Sequence, residues 1–344
     1  MRAFFDEQQR LHAPAFEIIG GQMVAPYETR DRIDRLLTPL AEAGLCAFEA
    51  PRDFGLGPIL ATHEPALVDF LERAYRDWKA AGFKGDVFAT VMPSPHTRLR
   101  QPKFIEGEVG FFAASGESAI AEHTWPAVRA SAQCAIAAAD ALAQGEHAAF
   151  ALCPPPGHHA MKGQFGGYCY LNNAAIAAQY LRDRGCGRVA ILDVDFHHGN
   201  GTQDIFYARD DVLFLSLHGD PELSYPFFLG YADETGAGAG QGFNRNYPLG
   251  PGTDFTAWST AFDDASGRLK AFAPDALVVS LGLDIFERDP QSIFRIATDD
   301  FATIGKRIRD LDLPTVLVME GGYAVEDLAQ NIRSFFAGFS GRDV

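Results

Sequence analysis

Five unbroken apolar runs, separated by longer stretches of helical period, constrain this chain more than any other feature of its sequence. They are AAFALC (148–153), RVAILDV (188–194), VLFLSLH (212–218), ALVVSLG (276–282) and TVLVME (315–320). A strand with no polar alternation is covered on both faces, as parallel strands inside a sheet are. The intervening segments 172–185, 255–272, 301–311 and 325–339 read as helices. Strand and helix in alternation predict one α/β domain: an open parallel β-sheet flanked by helices on both faces. Upstream, the sequence predicts a strand at 2–5 and helices near 29–44, 64–82 and 125–144. Residues 84–124 break the pattern with scattered proline, glycine and charge. A loop of that length inside a compact domain usually carries function.

The polar groups follow the strand ends. After 148–153 come His158 and His159; after 188–194 come Asp195, His197 and His198; after 276–282 comes Asp284; after 315–320 comes Tyr323. Open α/β sheets bind ligands at the carboxyl ends of their strands. In extended chain, residues two apart share a face, so Asp195 and His197 can point at one ion, with Asp284 completing a set of three. Two carboxylates and one imidazole suit zinc and leave one position for water or substrate; iron(II) and cobalt(II) accept the same donors. Carboxylates are costly to bury without such a partner. Asp193, on the face of Asp195 and deeper in the sheet, is placed to fix a histidine tautomer. Asn200 can do the same for a second histidine without adding charge, so a ring facing Asp193 should hold its proton more firmly. His158 and His159 are the acid–base candidates, while His198 should point away. Tyr323, behind two glycines that admit unusual backbone angles, is placed to donate to an oxyanion.

Composition narrows the partners. The net charge is −16, with 45 acidic and 29 basic residues, which argues against nucleic acid and favours cationic ligands. Five cysteines without a C-x-x-C pair give neither a disulfide framework nor a zinc ribbon; reduced thiols fit a cytoplasmic location. The N-terminus lacks the apolar core of a signal peptide. No apolar run approaches the ~20 residues of a membrane span.

PPPGHHA (154–160), FGGYCYLNNAAIAA (165–178), DVDFHHGNGTQDIFY (193–207), SLGLDIFERDP (280–290) and MEGGY (319–323) resemble the arginase-deacetylase superfamily. Within it the chain is most similar to the zinc-dependent histone deacetylases and their bacterial relatives, the acetylpolyamine amidohydrolases. The resemblance implies a deacetylase with zinc on Asp195, His197 and Asp284. It pairs His158 with Asp193 and His159 with Asn200, and gives catalysis to Tyr323. It implies channel walls at Gly167, Tyr168 and Tyr225, with Tyr168 standing where phenylalanine is common. It implies one structural potassium ion on oxygens of Asp193, Asp195, His197, Ser216 and Leu217, and a second near Phe206, Arg209 and Val212. The 84–124 segment, with FIEGEVGFFAASGES (104–118), implies a homodimer and a narrowed channel. There Glu106, reaching the neighbouring subunit, and Glu117 would meet a small cationic acetylated amine. The alternative implied by the same catalytic residues is a deacetylase acting on acetyl-lysine in proteins.

Overall fold

A computed structural model of the chain describes residues 1–94 and 99–342. Eight strands form one sheet: β1 (Arg2–Phe4), β4 (Ala47–Glu49), β5 (Ala148–Ala151), β6 (Val189–Asp193), β7 (Val212–Gly219), β8 (Asn244–Leu249), β9 (Ala276–Leu281) and β10 (Thr315–Met319). Their order is β4-β1-β5-β10-β9-β6-β7-β8, and every pairing is parallel. A separate antiparallel hairpin joins β2 (Glu17–Ile19) to β3 (Gln22–Val24). The helices are α1 (Arg30–Glu42), α2 (Gly57–Leu60), α3 (Pro65–Ala80), α4 (Ile105–Phe112), α5 (Thr124–Ala143), α6 (Asn173–Asp183), α7 (Asn200–Phe206), α8 (Phe255–Phe272), α9 (Thr298–Arg309) and α10 (Val325–Ser340).

The five apolar runs are the five long inner strands, and their side chains divide between two cores. Ala149, Ile191, Val278 and Val316 meet α3, α4, α5 and α6 on one face. Phe150, Leu192, Val279 and Leu317 meet α1, α8, α9 and α10 on the other. Period-two alternation sends neighbours to opposite faces, which is why both sets had to be apolar. Each fully buried leucine, isoleucine or phenylalanine contributes about 1.5–3 kcal/mol. Four strands that are neighbours in the sheet, β5, β10, β9 and β6, end where the polar motifs begin.

The 84–124 segment is not wholly irregular. It holds α4, with Ile105, Val109 and Phe112 buried, and Val87 bridges to Ile120. Gly107 and Gly110 lower helix propensity and blur the period. Residues 95–98 of this segment lie outside the described residues. Among the described residues no helix is long and apolar enough to cross a membrane.

Candidate active site

Asp195 and His197 follow β6, and Asp284 follows β9. One ligand atom from each lies within 4.8 Å of the others. His197 Nδ1 is 3.3 Å from Asp195 Oδ1 and 3.1 Å from Asp284 Oδ2. Both carboxylates are fully buried. Backbone N–H groups aim them: His197 N donates to Asp195 Oδ1 (2.8 Å), Gly321 N to Asp195 Oδ2 (2.9 Å) and Phe196 N to Asp284 Oδ1 (2.9 Å). A Cβ on Gly321 would stand 2.7 Å from Asp195 Oδ2 and closer still to Asp284, so glycine keeps this cradle open. Burial, and then the charge of Asp195, push Asp284 up to about 7. Burial alone would lower His197, but Asp195 and Asp284 outweigh it and raise its pKa to about 9. Two buried carboxylates demand positive charge here, from a proton or a metal ion. The N,O,O donors, their mutual spacing and the glycine-kept space fit a divalent cation.

The histidine pair lies beside the cradle. Its rings are 4.0 Å apart, on the loop after β5. His158 Nδ1 is 2.9 Å from Asp193 Oδ2, and His159 Nδ1 is 2.6 Å from Asn200 Oδ1. Burial works against the charged form of both rings. For His158 the charges of Asp195 and Asp193 overcome it, and the pKa rises to about 10. For His159, burial followed by repulsion from His158 and His197 holds the pKa well below 6.5. The sequence expectation that the ring facing Asp193 keeps its proton more firmly therefore matches the electrostatics. The loop is tied from both sides: Gly201 N donates to His158 O (3.0 Å), and Asn172, which caps α6, donates through Nδ2 to Ala160 O (3.0 Å). His198 turns elsewhere, its ring 4.6 Å from His218.

Tyr323 is buried to within 6% of full coverage, with its ring 5.7 Å from that of Tyr168. Burial raises its pKa well above 10, so the phenol keeps its proton and can donate. Several residues that sequence reasoning passed over hold this turn. Asp289 Oδ2 accepts from Tyr323 N (2.6 Å) and Ala324 N (3.0 Å). Arg32, wholly buried on α1, donates to Gly322 O (2.7 Å) and Glu320 O (2.8 Å), pairs with Glu28, and lies 4.9 Å from the centre of the Tyr323 ring. Glu320 Oε2 accepts from Gly157 N (2.7 Å) and His158 N (3.1 Å), joining the end of β10 to the histidine loop. For Glu320 a signal existed, since it is the carboxylate that closes the apolar run 315–320, and for Asp289 its place in the motif SLGLDIFERDP (280–290). For Glu28 and Arg32 there was none.

Gly167 and Tyr168 come from the turn after Phe165, and Tyr225 from the loop after β7. Gly167 (φ +57°) approaches so closely that a Cβ would meet the His159 ring inside contact distance and Tyr225 at 3.0 Å. Tyr225 stands edge-on to His159 at 4.8 Å. The 84–124 segment braces this turn: Ser115 Oγ accepts from Gly167 N (3.2 Å) and Ser118 Oγ from Tyr168 N (2.9 Å). Glu117, half-buried, adds its charge to Tyr168, Tyr225 and Glu17. Glu17, from the β2–β3 hairpin, accepts from Tyr27 N (3.2 Å) and acts on the Tyr168 hydroxyl, and burial raises its pKa to about 7. Sequence reasoning missed Glu17, whose strand has three residues. Glu106 sits half-buried on the first turn of α4, without a hydrogen bond or ion pair to a site residue among the described residues. Asp193 and Ser216 are register partners on β6 and β7; Ser216 and Leu217 are buried; Phe206 closes α7 and Val212 opens β7, with Arg209 between.

A buried N,O,O cradle flanked by two differently tuned imidazoles, at the strand ends of a parallel sheet, defines a metal-dependent acid–base catalyst. Residues 26–339 match the histone deacetylase domain, and the chain belongs to that family. It is 48% identical over 341 residues to the acetylpolyamine amidohydrolase of Mycoplana ramosa, covering 99% of this chain and 100% of the other. It is also 48% identical to acetylpolyamine amidohydrolase 1 of Pseudomonas aeruginosa, with 99% of each chain covered. The crystal structure of acetylpolyamine aminohydrolase from Burkholderia pseudomallei superposes with a TM-score of 0.95 at 46% identity, covering 99% of this chain and 98% of that one.

Proposed function

We propose that this protein hydrolyses the acetamide of acetylated polyamines and similar small cationic amines, releasing acetate and the free amine. The observation that carries the substrate class is the acidic surroundings of the aromatic rings beside the histidine pair, where Glu17 and Glu117 act on Tyr168 and Glu117 on Tyr225. A thin chain with ammonium groups meets carboxylates there and aromatic faces along the wall. The full-length similarity to acetylpolyamine amidohydrolases supports the same class.

Asp195, His197 and Asp284 would hold zinc, with iron(II) or cobalt(II) as alternatives of the same donor preference. When bound, the cation polarises the acyl carbonyl and acidifies a water. His159 is neutral at pH 7. With Nδ1–H assigned as donor to Asn200 Oδ1, its Nε2 lone pair takes the proton of the attacking water. The Tyr323 phenol donates to the oxyanion that forms on the former carbonyl oxygen. His159, now imidazolium, gives its proton to the departing nitrogen as the C–N bond breaks. His158, held cationic by Asp195 and Asp193, supplies positive charge beside the oxyanion. Gly167 and Tyr225 keep the His159 ring in place.

Oxygens of Asp193, Asp195, His197, Ser216 and Leu217 would hold a structural potassium ion, and the region of Phe206, Arg209 and Val212 a second. The register pairing of Asp193 with Ser216 supports the first site. A homodimer through the 84–124 segment is supported by exposed Val91, Met92, Leu99 and Phe104; in it Glu106 would face the partner's channel. Free thiols at all five cysteines agree with a cytoplasmic setting.

The test compares kcat/KM of the zinc enzyme on N-acetylputrescine and on an acetyl-lysine peptide. Preference for the polyamine supports the reading. Peptide turnover far above polyamine turnover replaces it with protein deacetylation.

A further inference from the structure

We propose that His158, Cys169 and Glu320 form a second cation site, distinct from the Asp195–His197–Asp284 cradle. It would take a soft divalent ion such as zinc, and its filling would inhibit the enzyme. A ligand atom of each residue lies within 4.8 Å of the other two, and all three residues are buried, at 2%, 0% and 1% exposure.

The spare valences are specific. Glu320 commits Oε2 to two backbone N–H groups, while Oε1 is shut off from solvent with no hydrogen-bond partner. An orphaned carboxylate oxygen at such depth calls for a compensating proton or cation. His158 commits Nδ1 to Asp193, which leaves Nε2; Asp195 Oδ1 stands 3.7 Å from it, beyond hydrogen-bond reach. Cys169 adds a sulfur from the turn whose backbone is closed by mutual bonds with Gly166. Burial keeps that thiol protonated on its own, and coordination to a cation expels the proton.

The three donors come from three separate elements: the loop after β5, the turn after Tyr168 and the end of β10. Nitrogen, sulfur and carboxylate oxygen around one point suit zinc with a fourth position for water. The sulfur separates this site from the first, because thiolate favours soft ions over magnesium, calcium or manganese. The inhibitory consequence rests on the proposed function, since a His158 ring used as a ligand, 4.0 Å from the His159 ring, can no longer serve the reaction beside it.

The experiment titrates metal-free protein with cobalt(II) and follows the absorption spectrum. The first equivalent enters the sulfur-free cradle and gives no thiolate-to-cobalt charge-transfer band. A second, weaker equivalent brings that band. Cys169→Ser abolishes both the band and the second equivalent. Glu320→Gln keeps the thiol and nearly the same shape, and weakens the second binding about tenfold or more; it decides the matter where Cys169→Ser does not fold. Saturation at one equivalent, or a band that survives in Cys169→Ser, overturns the site. In parallel, a second equivalent of zinc lowers the deacetylation rate by on the order of 10²-fold in the wild type, and leaves Cys169→Ser at its own one-equivalent rate. A charge-transfer band without loss of rate keeps the site and overturns the inhibition, placing the error in the role given to His158.

Discussion

His158 and His159 are consecutive in sequence and 4.0 Å apart in space, yet their surroundings drive their proton affinities in opposite directions. The divergence follows from charge and burial: Asp195 and Asp193 favour the imidazolium of His158, while burial and repulsion from His158 and His197 keep His159, which faces the uncharged amide of Asn200, neutral. It gives a single pocket both a cation and a neutral base at pH 7.

Asn200→Asp should raise the pKa of His159 by about one unit or more, since a carboxylate at hydrogen-bond distance favours imidazolium. The base works only when deprotonated. The acid limb of kcat/KM against pH therefore moves to higher pH. A limb that stays in place would remove His159 from the base role.

Tyr323→Phe should lower kcat by about 10²–10³-fold with little change in KM, the signature of a lost oxyanion donor. The ring packing against Arg32 and Tyr168 survives this change, so thermal stability should hold. A rise in KM at constant kcat would assign the hydroxyl to substrate binding instead.

Metal uptake should release protons at pH 7. His197 in the metal-free protein stays protonated up to about 9 and Asp284 up to about 7. A cation displaces both protons. Apparent affinity accordingly rises with pH until about 9 and weakens as pH falls. Calorimetry in buffers of different ionisation enthalpy reads the proton count; a count of zero would contradict the cradle's electrostatics.

Glu17 should make binding of a cationic substrate pH-dependent. Burial raises its folded-state pKa to about 7, above the ordinary carboxylate value. It is neutral below that pH and charged above it. KM for an acetylated polyamine should fall as pH rises through about 7, and Glu17→Gln should remove this dependence. The size is a few-fold, the range of one partly solvated ion pair. The same KM trend in Glu17→Gln would clear Glu17 of the role.

Much of this was legible because parallel strands buried on both faces advertise themselves as apolar runs, and the candidate catalytic groups sit just past their ends. What escaped was of two kinds. Both edge strands were missed: β4 is three residues long, and β8 reads NRNYPL, with polar side chains and a proline where an inner strand would be apolar. α4 was hidden by Gly107 and Gly110. Glu17, Glu28 and Arg32 were invisible for a different reason. Arg32 reaches the Tyr323 turn across 290 residues of sequence, and only tertiary packing brings such groups together. The cradle and the histidine pair beside it were readable because three short strand-end segments, after β5, β6 and β9, supply them all.

The most direct test removes and restores the metal. Enzyme stripped by a chelator and reloaded with zinc up to one equivalent should release acetate from N-acetylputrescine in proportion to the zinc bound. Asp284→Asn should lose zinc and activity together. Full turnover by the stripped enzyme, or one tightly held zinc in Asp284→Asn with unchanged turnover, would contradict the account.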